Sequence, residues 1–433
     1  MKNWVMIVLS TFLCLSTGLL SQGAPTFLTH WAAGSYTLLV EGFDWGPAAS
    51  KVILTQGDGE AETNWKDFVV FARRHTDCFA IPPDQASGQR RVIHGYLSDA
   101  NGNLDAGGHY YTLVLAVAPN DPLGSPIQYS RNTGCPGNNW IDYQLTVVNQ
   151  VTNQVWNQET DRIIPLVDRF DLSGKFSHGD ITMSYATYAP ETDGLTPLII
   201  WLHGGGEGGT DPSIPLIANR AANYASDEIQ AFFGGAYVLV PQSPTRWMDN
   251  GEGGSTRGDT DDIYHEALMT LFQEFLTTHP NVDRDRIYVG GCSNGGYIAL
   301  KLLFEHPDFF AAAFPSALAY FGEYLTAQQV ESIKDIPIWF VHSKDDPVTI
   351  PDKTVEPTYK LLKDAGATKL HFTYYDHVVD ITGLFGGDGY HYNGHWSWIY
   401  CHVNHCRRDL DGSLVTIDGR PVTIMEWLAA QRK

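Results

Sequence analysis

Gly290-Gly291-Cys292-Ser293-Asn294-Gly295-Gly296 sets one serine between glycines, where Arg286-Ile287-Tyr288-Val289 gives way to the helix-favouring Tyr297-Ile298-Ala299-Leu300-Lys301-Leu302-Leu303-Phe304. The first of these flanks is β-branched and aromatic, so the G-x-S-x-G pattern has the strand-turn-helix setting it needs to lift a hydroxyl above a sheet. A side chain larger than hydrogen at Gly291 or Gly295 would collide with the neighbouring strand or helix. Ser293 is therefore the candidate nucleophile. The Asn294 amide, at a helix N-terminus, points to where a substrate carbonyl would gain negative charge. Cys292 falls on the incoming strand and is the weaker candidate.

Outward from this turn, three further segments end strands with reactive side chains. His203-Gly204-Gly205-Gly206 follows the apolar run Leu198-Ile199-Ile200-Trp201-Leu202. Glycines let backbone amides approach a bound oxygen, so Gly205 or Gly206 is the candidate second donor of an oxyanion hole beside Asn294. No Lys-Ser/Thr pair follows, as a phosphate loop would require. Ile338-Trp339-Phe340-Val341 leads into His342-Ser343-Lys344-Asp345-Asp346-Pro347. Asp346 is the candidate orienting acid because the loop before Pro347 gives it room to turn back over the sheet, and Asp345 stays open. Among the later histidines, His395 in Tyr392-Asn393-Gly394-His395-Trp396-Ser397-Trp398 is the candidate base. His391 is the reserve, and His377 reads as structural. Trp247 and Trp396 are candidate pocket walls, with Thr245 to Asp259 as a bordering flap.

The chain divides by rhythm. From about Thr26 to Trp156, short β-rich runs alternate with turns such as Asn101-Gly102 and no long amphipathic helix intervenes; this predicts an antiparallel sandwich. After about Asp171, near-continuous apolar runs alternate with helical patterns, among them Ile263, Ala267, Leu268, Leu271, Phe272 and Phe275. Runs apolar on both faces suit a mostly parallel sheet flanked by helices, with the ligand site at the carboxyl ends of its strands.

Met1 to Ala24 holds one basic residue, an apolar run and a small-residue ending, the pattern of a cleaved export signal, so a secreted or periplasmic protein is expected. The expected layout is a signal at 1–24, a β-sandwich at 25–170 and an α/β domain at 171–433. The formal net charge of −21 becomes −22 once the segment with Lys2 is removed, which repels phosphate backbones and argues against nucleic acid as a partner. Past the leader no stretch is apolar and long enough to span a membrane. Five cysteines remain, Cys78, Cys135, Cys292, Cys401 and Cys406. Bridges Cys78–Cys135 and Cys401–Cys406 would leave Cys292 as a buried thiol, although pairing is not fixed by sequence.

The order Ser, Asp, His along the chain is that of the α/β-hydrolases. The combination of His203-Gly204-Gly205-Gly206-Glu207-Gly208-Gly209, Gly291-Cys292-Ser293-Asn294-Gly295-Gly296 and Gly394-His395-Trp396 resembles bacterial α/β-hydrolase esterases with an N-terminal immunoglobulin-like domain, related to polyhydroxybutyrate depolymerase and feruloyl-esterase-like proteins. Val40-Glu41-Gly42-Phe43-Asp44-Trp45-Gly46-Pro47 fits the N-terminal part of that layout. The resemblance implies an immunoglobulin-like sandwich before an α/β-hydrolase domain, a triad of Ser293, Asp346 and His395, and an N-terminal domain that supports homo-oligomerisation. The expected activity is carboxylic ester hydrolysis, on short acyl or aryl esters, small or polymer-linked, with no metal or organic cofactor. A peptidase using the same triad is the alternative. A non-catalytic polymer-binding or adhesion protein is a third, disfavoured because every expected catalytic group is present.

Overall fold

The computed structural model describes residues 33–56 and 64–433. The expected export signal at 1–24 lies outside the described residues. Among the described residues, ten strands make up the N-terminal half: β1 (Gly34–Phe43), β2 (Gly46–Thr55), β3 (Phe68–His75), β4 (Ser87–Arg90), β5 (Val92–Ser98), β6 (Tyr110–Leu115), β7 (Ile127–Ser130), β8 (Gly137–Trp140), β9 (Asp142–Asn149) and β10 (Val155–Ile163). Eight of them run in the order β4-β3-β9-β10-β1-β2-β6-β5, while β7 and β8 pair only with each other as a hairpin.

Alternating residues of this sheet close on a common core of Leu38, Val40, Val52, Leu54, Val70, Leu113, Leu145, Val147 and Trp156, so the sheet folds over itself as an immunoglobulin-like sandwich. The wholly antiparallel expectation needs one correction. β10 pairs with β9 only through Val155 and Trp156, then crosses to run parallel to β1, and Trp156 packs its indole in the core beside Gly34. A Cβ at Gly34 would lie 2.4 Å from that ring.

β11 (Asp171–His178) opens the second sheet, followed by β12 (Ile181–Tyr188), β13 (Thr196–Leu202), β14 (Tyr237–Gln242), β15 (Val282–Cys292), β16 (Ala312–Ser316), β17 (Ile338–Ser343) and β18 (Leu370–Tyr375). Their order is β11-β12-β14-β13-β15-β16-β17-β18, with an antiparallel edge at β11 and β12 and parallel pairing from β14 to β18. This is an α/β-hydrolase sheet. Every residue of β13 and of β17 is buried, as expected of strands covered by helices on both faces. The helix His265–Thr278 buries Ala267, Leu268, Leu271, Phe272 and Phe275 as its spacing predicts; Ile263 precedes the helix and is exposed.

The two halves share an apolar cluster in which Ile127, Val167 and Phe170 pack with Ile199, Trp201, Ile214 and Ile217. Within the Val40–Pro47 motif, the Asp44 carboxylate accepts from the Arg220 guanidinium at 2.6 Å, and Trp45 meets Phe385 edge-on at 4.9 Å. That segment is a docking element for the second domain. No described helix is long and apolar enough to cross a membrane.

Candidate active site

Ser293 sits at the junction of β15 and the helix Asn294–Glu305, with φ 56° and ψ −112°. An L-residue adopts such a backbone only where the surroundings impose it. Here the imposition is visible: the Ser293 amide donates to the Ser316 carbonyl on β16 at 3.0 Å, and the flanking glycines admit no side chain. A Cβ at Gly291 would lie 2.4 Å from the Gly295 carbonyl oxygen, and one at Gly295 would lie 1.8 Å from that of Leu202. The Asn294 amide, first in the helix, has no intrahelical acceptor to reach.

The glycine loop after β13 is held by its carbonyls. The buried His203 ring accepts at Nε2 from the Ser243 amide, 3.1 Å, so its Nδ1–H donates to the Gly204 carbonyl at 2.6 Å. Burial lowers that imidazole to about 4 and keeps it neutral. Asn138 of β8 donates its backbone N–H to the Gly206 carbonyl at 2.7 Å, and Gln242 Nε2 donates to the Glu207 carbonyl at 2.9 Å. The Gly205 and Gly206 amides have no acceptor among the described residues, and Gly205 is exposed. A Cβ at Gly205 would meet the Asn294 side chain at 3.0 Å, so the loop and the serine elbow face each other.

Asp346 and His395 meet at the end of β17. His395 Nδ1 lies 2.8 Å from Asp346 Oδ2 and 3.0 Å from Oδ1. The carboxylate also accepts from the Val348 and Thr349 amides and the Thr349 hydroxyl, and buried His342 stands 3.1 Å away. Burial would raise this carboxyl, but the hydrogen bonds from His342 and His395 outweigh it and hold it well below the ordinary carboxylate range. The Asn393 side chain accepts from the His395 amide, which caps the short turn that carries the ring. Gly394 is required there because a Cβ would run into Asp345 at 2.2 Å.

Asp345 faces the other way, toward Ser343 and His377 Nδ1, the latter at 2.8 Å, and His377 stacks on His391 at 4.2 Å. Neither the reserve His391 nor His377 has a hydrogen bond or ion pair to Asp346 among the described residues. With Nδ1 engaged, His395 has only Nε2 to offer a hydroxyl; no hydrogen bond yet joins it to Ser293 among the described residues. Such contacts commonly tighten only when substrate is bound.

Two expectations need correction. Trp247 is 0 % exposed, packed on His203 and Tyr264 in the main core, so it supports the glycine loop from beneath and lines no open pocket. Trp396 is half-buried against Tyr392, and Trp398 meets the His395 ring edge-on at 5.2 Å. Cys78 and Cys135 form a disulfide, but Cys401 and Cys406 are free, as is Cys292, and all three are buried. Burial pushes the Cys292 thiol up, the wrong direction for a nucleophile. Asp261, Asp262 and His265 are grouped closely enough to suggest a metal site, yet the Lys301 ammonium lies among them, 2.8 Å from Asp262 Oδ2 and bonded to Asp261. Asn138 and Thr349 carried no sequence signal, since neither sits in a motif.

Residues 35–160 match the esterase Ig-like N-terminal domain, and residues 245–320, which span the serine elbow, match the prolyl oligopeptidase family. No curated protein matches the chain. Among solved structures, a thermostable esterase is similar over 92% of this chain and 100% of its own, with a TM-score of 0.70 and 24% identity, a likeness of fold. A Pyrococcus horikoshii acylaminoacyl peptidase aligns with 58% of this chain and 43% of its own at 16% identity and a TM-score of 0.39. A ferulic acid esterase aligns with 45% and 84% at 14% identity and 0.34. With an esterase-type immunoglobulin-like domain in its first half and a prolyl-oligopeptidase-family segment carrying the serine elbow of an α/β-hydrolase sheet in its second, the chain is a serine hydrolase of the esterase or peptidase type.

Proposed function

We propose that the protein is a secreted carboxylesterase acting on short acyl or aryl esters. His395 Nε2 removes the Ser293 proton as the hydroxyl attacks the ester carbonyl. The oxyanion rests on amides of Asn294 and of Gly205 or Gly206. Asp346 holds the imidazole in the tautomer with Nδ1 protonated and stabilises the cation. The same imidazolium then protonates the leaving alcohol, and water, deprotonated in turn by His395, releases the acid from the acyl-enzyme.

The observation that carries this reading is the 2.8 Å pairing of His395 with Asp346 at the rim that also bears the strained Ser293 elbow. Ester rather than amide cleavage is favoured by the N-terminal match, which is to an esterase domain. Export rests on the leader pattern alone, and N-terminal sequencing of the protein recovered from culture medium tests it. Replacing Ser293 with Ala should abolish turnover of p-nitrophenyl acetate and butyrate while the circular dichroism spectrum is retained. Undiminished turnover in that variant removes the proposal, and faster cleavage of aminoacyl p-nitroanilides than of esters by the unaltered protein turns it into the peptidase reading.

A further inference from the structure

The β7–β8 hairpin belongs to the N-terminal domain by chain order, yet it stands outside that domain's sheet and ends on the glycine loop of the other domain. Its root is fixed to the sandwich. Arg74, on β3 and almost fully buried, donates from Nη2 to the Ile127 carbonyl at 3.3 Å and to Gln128 Oε1 at 2.9 Å. Beyond β7, Cys135 is bridged to Cys78, and Asn132 Nδ2 donates to the Cys78 carbonyl at 3.2 Å. On the far side, Trp140 Nε1 donates to the Ser213 hydroxyl at 2.9 Å.

Between these anchors, Asn138 makes two bonds to the loop. Its amide N–H goes to the Gly206 carbonyl at 2.7 Å, and its Nδ2 goes to Glu207 Oε1 at 2.9 Å. The neighbouring Gly137 has φ +83°, and a Cβ there would sit 2.5 Å from the Gly206 carbonyl oxygen. Glu207 is buried; besides Asn138, its carboxyl is met by the Gly204 backbone and, at 3.5 Å, by Asn219 Nδ2, so among the described residues the Asn138 amide is its closest side-chain donor.

We propose that Asn138 is a positioning residue for catalysis, through which the immunoglobulin-like domain sets the place of the Gly205–Gly206 amides that receive the oxyanion. The inference rests on the ester-hydrolase reading above. The reason is geometric. The Gly206 carbonyl lies in the peptide plane that adjoins, at the Gly206 Cα, the plane carrying the Gly206 amide, so holding that carbonyl and the Glu207 side chain restricts the orientations left to the Gly205 and Gly206 amides on the same turn. Donors in an oxyanion hole act by being in place before charge develops. A glycine run has no side chains of its own to fix it, and the hairpin supplies what the glycines lack. Burial raises the Glu207 carboxyl to about 7, consistent with a group enclosed by the hairpin and screened from water.

The test uses the full-length protein with Asn138→Ala, which removes the bond to Glu207, and Gly137→Ala, which pushes on the Gly206 carbonyl. Each should lower kcat for p-nitrophenyl butyrate by about ten- to a hundredfold, the loss typical of a displaced catalytic group. KM should stay within about twofold. Affinity for an alkyl trifluoromethyl ketone, whose adduct with Ser293 carries the oxyanion, should weaken by the same factor as kcat/KM. Leu104→Ala, an exposed position of the same domain outside the hairpin, should leave all three unchanged. Wild-type kcat in both folded hairpin variants overturns the inference, as does a kcat loss without weaker ketone binding. Loss of turnover in Ser293→Ala alongside such a result leaves the ester-hydrolase reading standing.

Discussion

The backbone of Gly295 passes so close to Leu202 that a methyl group on Gly295 would lie 1.8 Å from the Leu202 carbonyl oxygen. The serine elbow and the strand that launches the glycine loop are thus interlocked through backbone, which neither partner can relieve by a rotamer change. Gly295→Ala should destabilise the protein by about 1–3 kcal/mol or more, as overpacked sites do, and should abolish esterase turnover. Gly389→Ala, where nothing lies within 4 Å, is the control and should be neutral in thermal unfolding. An unchanged melting curve for Gly295→Ala refutes the interlock.

The adjacent aspartates should separate cleanly in kinetics. Asp346 contacts His395 whereas Asp345 contacts His377 and Ser343. Asp346→Asn should cut kcat by about 10⁴-fold by stabilising the wrong imidazole tautomer. Asp345→Asn should keep kcat within a few-fold of the unaltered protein. The reverse ranking in nitrophenyl ester assays would reassign the acid.

Glu207 predicts how stability responds to pH. Its carboxyl is raised from 4.5 to about 7 by burial, against hydrogen bonds from Asn138 and the loop backbone. A raised acid is bound more tightly by its proton in the folded state, so its contribution is complete below 4.5 and is lost as pH climbs to about 7. The Cys292 thiol is the titratable neighbour, and it stays protonated in this range. Glu207→Gln should remove this decline, which urea unfolding at pH 5 and pH 7.5 will measure; an identical slope in both proteins excludes Glu207 as its source.

The five cysteines among the described residues should divide two to three. Cys78 and Cys135 enclose a separation of 57 residues, for which chain entropy gives about 4 kcal/mol of stabilisation. The Cys78→Ser/Cys135→Ser variant should lose up to that amount in denaturant unfolding. Cys292, Cys401 and Cys406 are buried thiols, so a bulky maleimide should leave them unlabelled in the native protein and modify all three in guanidinium. Native labelling of Cys401 or Cys406 by mass spectrometry would contradict their burial.

Local chemistry wrote the elbow, the glycine loop and the Gly394-His395 turn plainly in sequence, because each needs glycine where the chain passes close to a neighbouring segment. Alternation of apolar residues likewise announced a β-rich half and a parallel-sheet half. What sequence left open depended on side-chain direction. Two consecutive aspartates have the same composition around them, and only the turn at Asp346, tied down by the Thr349 amide and hydroxyl, decides which one meets the imidazole. Trp247 has the composition of a pocket wall, yet tertiary packing sets it beneath the glycine loop. Cys401 and Cys406 stand five residues apart on a short helical turn and its exit, and the fold leaves both as thiols.

The chain's linear order therefore determined the reactive groups and the two architectures, since hydrophobic period and steric tolerance are local properties. The tertiary structure alone decided which groups meet, because contacts such as Asn138 with Glu207, 69 residues apart, arise from how two independently patterned halves pack, and no local rule encodes that distance.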